Sequence, residues 1–127
     1  MSKNKIPSEA DFARAKAARR YYDRGLSDVY DRLFKRFNKR GVDRISIFYC
    51  RDSNTFGAYV FYLTDRMIVE GKESGLSSEI EEAVYEELTT AGRGGSGDQN
   101  TLDVSFEFDS YENVEQNYDG DYFDRLR

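Results

Sequence analysis

The stretch from Thr101 to Arg127, TLDVSFEFDSYENVEQNYDGDYFDRLR, has the clearest periodicity in the chain. Its apolar residues Leu102, Val104, Phe106 and Phe108 alternate with the polar residues Asp103, Ser105, Glu107 and Asp109. A period of two predicts a strand with one apolar, buried face and one polar, exposed face. Acidic residues and tyrosines continue beyond this strand to the end of the segment. We therefore expect the segment to supply a core strand and an acidic surface that carries tyrosines.

Length and composition predict one domain spanning residues 1–127. The chain has 127 residues, 34% of them charged and 15% aromatic, which favours a soluble domain with an ordered core. Residues 1–7 read as a loose arm, and the glycine-rich residues 91–100 read as a flexible loop. Cys50 is the single cysteine and is expected to be a buried packing residue. With no apolar signal sequence visible near Met1, the expected location is the cytoplasm.

Charge is distributed unevenly along the chain. Residues 1–51 carry 14 Lys and Arg against 6 Asp and Glu, residues 52–100 carry 3 against 10, and residues 101–127 carry 2 against 8. This segregation has two interpretations. It indicates either a basic partner that meets the acidic part of the chain or an acidic surface that only interacts with water.

The first part of the chain predicts helices. Residues 8–24 combine strong helix formers with Gly25 as a stop, and their apolar stripe is thin, which favours a helix at the edge of the domain. The stretch from Ser27 to Arg40 is amphipathic, with aromatic residues on one side and basic residues on the other. A basic helix of this kind is typical either of nucleic-acid binding or of an ordinary amphipathic helix whose basic side faces water. We favour the second because an acidic domain repels phosphate.

The remaining pattern predicts an α+β fold with an antiparallel sheet of about five strands. The stretches DRISIFYC, FGAYVFYL and RMIVEG form a three-strand meander. A helix follows from Ser78, whose spacing to Glu81 is that of a capping box. The stretches TLDVSFEFD and VEQNY then form a final strand pair across the turn SYEN.

The residues do not form a pattern typical of catalysis. The chain has no histidine, which removes the usual triads and most transition-metal sites. The run GRGGSG lies between a predicted helix and a predicted strand, the reverse of the order in phosphate-binding loops. Asp119, Asp121 and Asp124 suggest calcium ligation but lack EF-hand spacing. We expect no enzyme, no cofactor and no metal, and predict no catalytic residue.

The second half of the chain resembles the YezG-like (DUF600-like) immunity proteins of bacterial polymorphic toxin and contact-dependent inhibition systems. The resemblance covers roughly residues 78–127 and rests on an acidic helix with Tyr85 and Leu88, the strand TLDVSFEFDS and the ending NYDGDYFDRL. It is weaker across the strands in residues 45–70. The basic helices and the glycine loop depart from the family pattern.

The resemblance implies a cytoplasmic immunity protein that binds and neutralises a cognate toxin domain, often a nuclease. Charge is consistent with this, because nucleases are basic where they hold phosphates and an acidic surface complements them. The expected partner is a basic toxin C-terminal domain, with no direct nucleic-acid contact and no membrane. The alternative is an acidic nucleic-acid mimic that inhibits a host or phage-defence protein.

The predicted partner-binding residues are acids and tyrosines of the second half. They are Glu79, Glu82, Glu86, Asp103, Glu107, Asp109, Tyr111, Glu112, Tyr118, Asp119, Asp121 and Tyr122. Tyrosine provides a large contact area at low entropic cost, which suits an interface. The same rings are equally typical of the rim of a core.

Overall fold

A computed structural model describes residues 8–94 and 102–127 of the chain. The predicted arm, residues 1–7, lies outside the described residues. In chain order the elements are helix α1 (Glu9–Tyr22), helix α2 (Leu26–Phe37), a 3-10 turn (Asn38–Arg40), strands β1 (Val42–Cys50) and β2 (Thr55–Tyr62), helices α3 (Asp65–Ser74) and α4 (Leu76–Thr90), strand β3 (Val104–Ser110), and helices α5 (Tyr111–Tyr118) and α6 (Tyr122–Arg125). The predicted α+β class and the two N-terminal helices are confirmed.

The described strands form a three-stranded mixed sheet in the order β1-β2-β3. Strands β1 and β2 pair antiparallel across a short hairpin, with Ile47 opposite Ala58. Strands β2 and β3 pair parallel, with Phe56 opposite Val104. This is possible because α3 and α4 return the chain to the end of the sheet where β2 begins. The predicted antiparallel sheet of about five strands is therefore corrected to three strands with one parallel pair.

The core lies between one face of this sheet and helices α2 and α4. Helix α2 buries Leu26, Val29, Leu33 and Phe37, and α4 buries Ile80, Ala83, Val84 and Leu88. These spacings of three and four residues place each apolar set on one side of its helix. The sheet contributes Ile47, Ala58 and Val60, each no more than 1% exposed. By contrast, α1 is exposed along most of its length, as its thin apolar stripe predicts.

The predicted third strand, RMIVEG, is instead part of helix α3. Thr64 caps this helix because its side chain accepts a hydrogen bond from the Met67 backbone N–H. Asp65 lies in the first turn, where a carboxylate favours the positive end of the helix dipole. The connection between β2 and the predicted third strand is thus a helix start rather than a turn between strands. Met67 and Ile68 are adjacent and both partly buried against the core, and Gly71 is buried one turn later, which is a helical spacing rather than strand alternation.

The predicted fifth strand, VEQNY, is helix α5. Ser110 ends β3 and caps α5, since its side chain accepts a hydrogen bond from the Asn113 backbone N–H. Only Val114 of this short helix is fully buried, so the segment has too few apolar residues to fill a strand position in the sheet. The final strand pair is therefore a strand followed by a helix.

Both ends of α4 differ from their predicted form. The helix begins at Leu76 after Gly75, and Ser78 lies inside it rather than at a capping position. Gly75 has a φ of 86°, in the left-handed region that glycine adopts most easily, and it joins α3 to α4. Residues 91–94, predicted as part of a flexible loop, follow α4 with Arg93 N–H bonded to the Leu88 carbonyl at 2.9 Å. Residues 95–100 lie outside the described residues.

A close approach between Gly71 and Tyr62 fixes α3 against the sheet. The Tyr62 hydroxyl lies 2.8 Å from the Ser77 Oγ, and both side chains are buried. A Cβ on Gly71 would lie 2.5 Å from that hydroxyl oxygen. The helix can pack at this distance only because residue 71 has no side chain.

Candidate partner-binding surface

The outer face of the sheet, opposite the core, is partly covered by the C-terminal helix α6. The Tyr122 ring packs edge-on against Phe61 of β2, with ring centroids 4.8 Å apart. The Tyr122 hydroxyl donates a hydrogen bond to Asp43, the extra residue of a bulge at the start of β1. Burial, and then the Asp43 carboxylate, raise the pKa of Tyr122 above its ordinary value. Tyr122, predicted to bind a partner, is therefore part of the internal packing.

Arg125 holds α6 to the last strand. Its Nε lies 2.6 Å from an Asp109 carboxylate oxygen, and its Nη2 lies 3.0 Å from a Glu107 carboxylate oxygen. These hydrogen bonds raise the pKa of Arg125 against the opposing effect of burial, which is the largest influence on it. Glu107 and Asp109, both predicted partner-binding residues, thus have an intramolecular partner.

Exposed and half-buried aromatic and acidic side chains remain on the segment that follows β3. They are Tyr111, Tyr118, Asp119, Asp121, Phe123 and Asp124, which we call the C-terminal surface. Phe123 is 77% exposed and Tyr111 and Tyr118 are half-buried. Asp121 accepts hydrogen bonds from the backbone N–H groups of Phe123 and Asp124 and so orients Phe123 at the start of α6. Among the described residues, none of these aspartates has an ion-pair partner.

The carboxylates of α4 lie next to the basic helix α2. Glu79 lies 2.7 Å from Arg40, and Glu86 lies 3.6 Å from Arg36. Both pairs are about half exposed, so each contributes little to stability, but together they offset part of the acidic charge that the sequence assigns to α4. Within the described part of the chain, Glu82 has no ion-pair partner.

The sheet separates the predicted partner-binding residues into two groups. Helix α4 covers the core face, where Tyr85 contacts Phe106, whereas α6 covers the outer face through Tyr122 and Phe61. Glu79, Glu82 and Glu86 therefore lie on the opposite side of the sheet from Asp121. Hydrophobic periodicity alone indicates which residues are exposed but not which side of the sheet each helix covers.

The last two predicted residues have different environments. The Glu112 carboxylate accepts a hydrogen bond from the Asp65 backbone N–H at 3.1 Å and so caps α3 from α5. Asp103 is exposed and lies beside the cavity at the start of β2. Glu112 thus forms a contact between α5 and α3, whereas Asp103 remains accessible to solvent.

Part of the outer face remains uncovered by α6. A groove of about 340 Å³ there is lined by residues of all three strands together with Leu126. Phe48 in this groove is 48% exposed, and it meets the Tyr59 ring at a centroid distance of 6.0 Å. Cys50, predicted to be buried, is exposed in the same region because it alternates with Ile47 and Tyr49 of the core side and therefore shares the outer face of β1 with Phe48. The sequence signal for this patch was that β1 has apolar residues on both faces, with Ile47 on one and Phe48 on the other.

Three further findings complete the description of the site. In the described part of the chain, no group of three or more acidic or cysteine side chains is placed to hold a metal ion. Among the same residues, no helix combines the length and apolar character needed to cross a bilayer. Comparison of the chain with protein-family models, curated protein sequences and solved structures yields no match.

Proposed function

We propose that this protein is an immunity protein, which binds and neutralises a basic bacterial toxin domain through its C-terminal surface. The resemblance of residues 78–127 to immunity proteins motivates the biological role. The arrangement of exposed aromatic rings and carboxylates on the described residues supports the mode of binding. A nuclease domain is the favoured partner because its phosphate-binding surface is basic.

The single observation that carries the proposal is the exposure of Phe123 beside two carboxylates. Phe123 is 77% exposed, and the neighbouring Asp121 and Asp124 are exposed as well. An aromatic side chain that enters a pocket of a partner contributes much of the binding free energy at many interfaces. Carboxylates around it guide a basic partner into place and increase the association rate.

Intramolecular ion pairs favour the C-terminal surface over four of the other predicted acids. The α4 carboxylates Glu79 and Glu86 already face arginines of the basic N-terminal part. Glu107 and Asp109 already face Arg125. The aspartates of the C-terminal surface have no such partner among the described residues, and half-buried Tyr111 and Tyr118 add contact area on the same segment.

Binding to the toxin domain encoded beside this protein tests the proposal. We expect a complex of sub-micromolar affinity that weakens as salt increases, measured by isothermal titration calorimetry, together with loss of toxin activity. Phe123→Ala should weaken binding by about tenfold or more, and Asp124→Lys should reduce the association rate. Matched controls are Phe12→Ala, at a position that is 62% exposed on α1, and Glu73→Lys, an exposed acid on α3.

Two outcomes would contradict the proposal. One is the absence of binding to any linked toxin domain, and the other is an equal effect of Phe12→Ala and Phe123→Ala. Binding instead to a nucleic-acid-binding host or phage-defence protein, in competition with DNA, would replace the immunity role with nucleic-acid mimicry.

A further inference from the structure

A cavity at the opposite end of the sheet from α3 contains a buried arginine. It has a volume of about 390 Å³ and lies where the end of α1, the α1–α2 turn, the β1–β2 hairpin and the residues after α4 meet. Its described lining includes Tyr22, Arg24, Tyr49, Asn54, Phe56 and Arg93. Such a volume is within the range of small-molecule sites in proteins.

Arg93 is held rigidly in this cavity. It is 8% exposed, and its guanidinium carbon lies 5.1 Å from the Tyr49 ring centroid and 5.0 Å from the Phe56 ring centroid. Its Nη1 donates to the Arg24 carbonyl at 2.9 Å. A guanidinium has five N–H donors in one plane, so its faces contact the rings while further donors remain at its edge.

Arg24 places a second positive charge beside the first. Its Nη1 donates to the Tyr21 carbonyl at 2.8 Å, and its guanidinium carbon lies 4.5 Å from the Tyr21 ring centroid. Burial, and then the charge of Arg24, lower the pKa of Arg93. Among residues 8–94 and 102–127, no carboxylate lies within 4.0 Å of either guanidinium. An anion between them would offset both the repulsion and the desolvation of Arg93.

We propose that this cavity binds a small aromatic anion, whose carboxylate or phosphate group is held by Arg93 and Arg24. The edge of a guanidinium matches two oxygens of either group, which gives a pair of charge-assisted hydrogen bonds. Tyr21, which is 60% exposed, and half-buried Tyr22 and Tyr49 line the cavity and present ring surface to the ligand. Phe56 is 4% exposed and supports Tyr49 from behind. Exposed Asp103 also lines the cavity and repels an anion at its own end, so the anionic group belongs at the arginines.

The alternative role for Arg93 is purely structural. Its hydrogen bond to Arg24 and its contacts with two rings join the end of α4 to the α1–α2 turn and the hairpin. Substitution of Arg93 alone would destabilise the fold under either role. Arg24 distinguishes them, because it is exposed and its substitution should leave the core unchanged while removing half of the positive charge.

Titration of the full chain with defined anions tests the proposal. The probes are phenyl phosphate, benzoate, inorganic phosphate and neutral phenol, with binding measured by amide chemical shifts in NMR at low salt. We expect saturable binding of phenyl phosphate, of benzoate or of both, with the larger shifts at residues 92–94 and at the hairpin. Which of the two binds more tightly identifies the ligand as a phosphate or a carboxylate.

Variants connect the binding to the arginines. Arg24→Gln should weaken binding by about tenfold, the loss expected for a charge-assisted hydrogen bond, and Arg93→Lys should weaken it further while retaining charge. Arg66→Gln is the matched control, because Arg66 is exposed on α3 at the other end of the sheet. Failure of both aromatic anions to bind, unchanged affinity in Arg24→Gln, or binding of phenol as tight as that of phenyl phosphate would overturn the proposal. Binding of inorganic phosphate as tight as that of phenyl phosphate would overturn the proposed contact between the aromatic residues and the ring of the ligand.

Discussion

Arg125 Nε lies 2.6 Å from an Asp109 carboxylate oxygen, and this contact fastens the end of the chain to strand β3. The two side chains are only 18% and 13% exposed, so neither has water as a ready substitute partner. Arg125 and Tyr122 both belong to the short helix α6, so the contact also holds Tyr122 over Phe61. The position of the proposed partner-binding residue Phe123 therefore depends on this ion pair.

Loss of the ion pair should destabilise the protein and displace α6. For Arg125→Gln we expect the free energy of unfolding in urea to fall by about 1–3 kcal/mol, because the Asp109 carboxylate loses a charged donor. Amide exchange should accelerate in α6 and remain unchanged in α2. Arg127→Gln is a suitable control at an exposed position. Equal stability of the two variants would show that Arg125 does not hold α6 to the sheet.

Gly71→Ala should destabilise the contact of α3 with the sheet. The new methyl group would lie 2.5 Å from the Tyr62 hydroxyl oxygen and 3.1 Å from the Ser77 Oγ. Overpacking of a buried site typically costs about 1–3 kcal/mol, measured here as the change in urea unfolding. Lys72→Ala, at an exposed position of the same helix, is the control.

A double-mutant cycle measures how much of this cost comes from the hydroxyl. Tyr62→Phe in the native background removes the hydrogen bond to Ser77 and should cost about 1 kcal/mol. In the Gly71→Ala background the same change also removes the closer of two clashes, while the ring carbon Cζ stays 2.8 Å from the new methyl group, so it should cost less than in the native background. Additive effects of the two substitutions would contradict a clash between Gly71→Ala and the hydroxyl.

Alkaline pH should destabilise the fold through Tyr122. Burial and the Asp43 carboxylate raise the pKa of Tyr122 in the folded state, whereas an unfolded tyrosine loses its proton near about pH 10. The stabilisation is therefore fully present below about pH 10 and is lost as pH rises above that value. The pKa values of Tyr30 and Tyr62 are also raised, chiefly by burial, and add to the decline.

Substitution of Tyr122 should make this decline shallower. Tyr122→Phe loses the hydrogen bond to Asp43, so we expect lower stability at neutral pH by about 1 kcal/mol. Above about pH 10 its free energy of unfolding should fall less steeply than that of the native chain. Urea unfolding across this pH range provides the measurement, and parallel curves for the two proteins would refute the assignment.

The Cys50 thiol should react readily in the folded protein. It is exposed, and hydrogen bonds from the Ser53 side chain and then the Ser53 backbone lower its pKa. Alkylation by iodoacetamide should therefore proceed without unfolding and reach half of its maximal rate below the pH typical of a free thiol. Ser53→Ala should move that midpoint to higher pH. Protection of the thiol until urea unfolds the protein would instead agree with the burial that the sequence predicted.

Sequence patterns predicted the parts of this fold whose signal is local. The amphipathic helix α2 and the strands β1, β2 and β3 were identified from periodicity, since each has an apolar face that repeats along its length. The segments that became α3 and α5 were wrongly predicted as strands. Both begin with a capping side chain, Thr64 or Ser110, in a stretch that resembles a turn when only composition is considered.

The candidate surfaces required the three-dimensional arrangement. Charge along the chain indicated acids on α4 and on the C-terminal segment. It did not indicate that arginines of α2 and of the following 3-10 turn face the first group, or that the sheet separates the two groups. Arg93 was assigned to a flexible loop because glycines surround it in sequence. Its burial depends on Tyr49 and Phe56, which are distant in the chain and therefore invisible to local patterns.

Parallel pairing of β2 with β3 has a consequence for how the protein is made. The β1–β2 hairpin closes over a few residues and can form early, whereas Phe56 meets Val104 only after α3 and α4 have been synthesised. Until then the side of β2 that later pairs with β3 has no neighbouring strand, so its backbone can pair with another nascent chain. Ribosomes that stall before β3 emerges should therefore yield an aggregation-prone fragment, and slow translation just upstream of this strand would prolong that exposure.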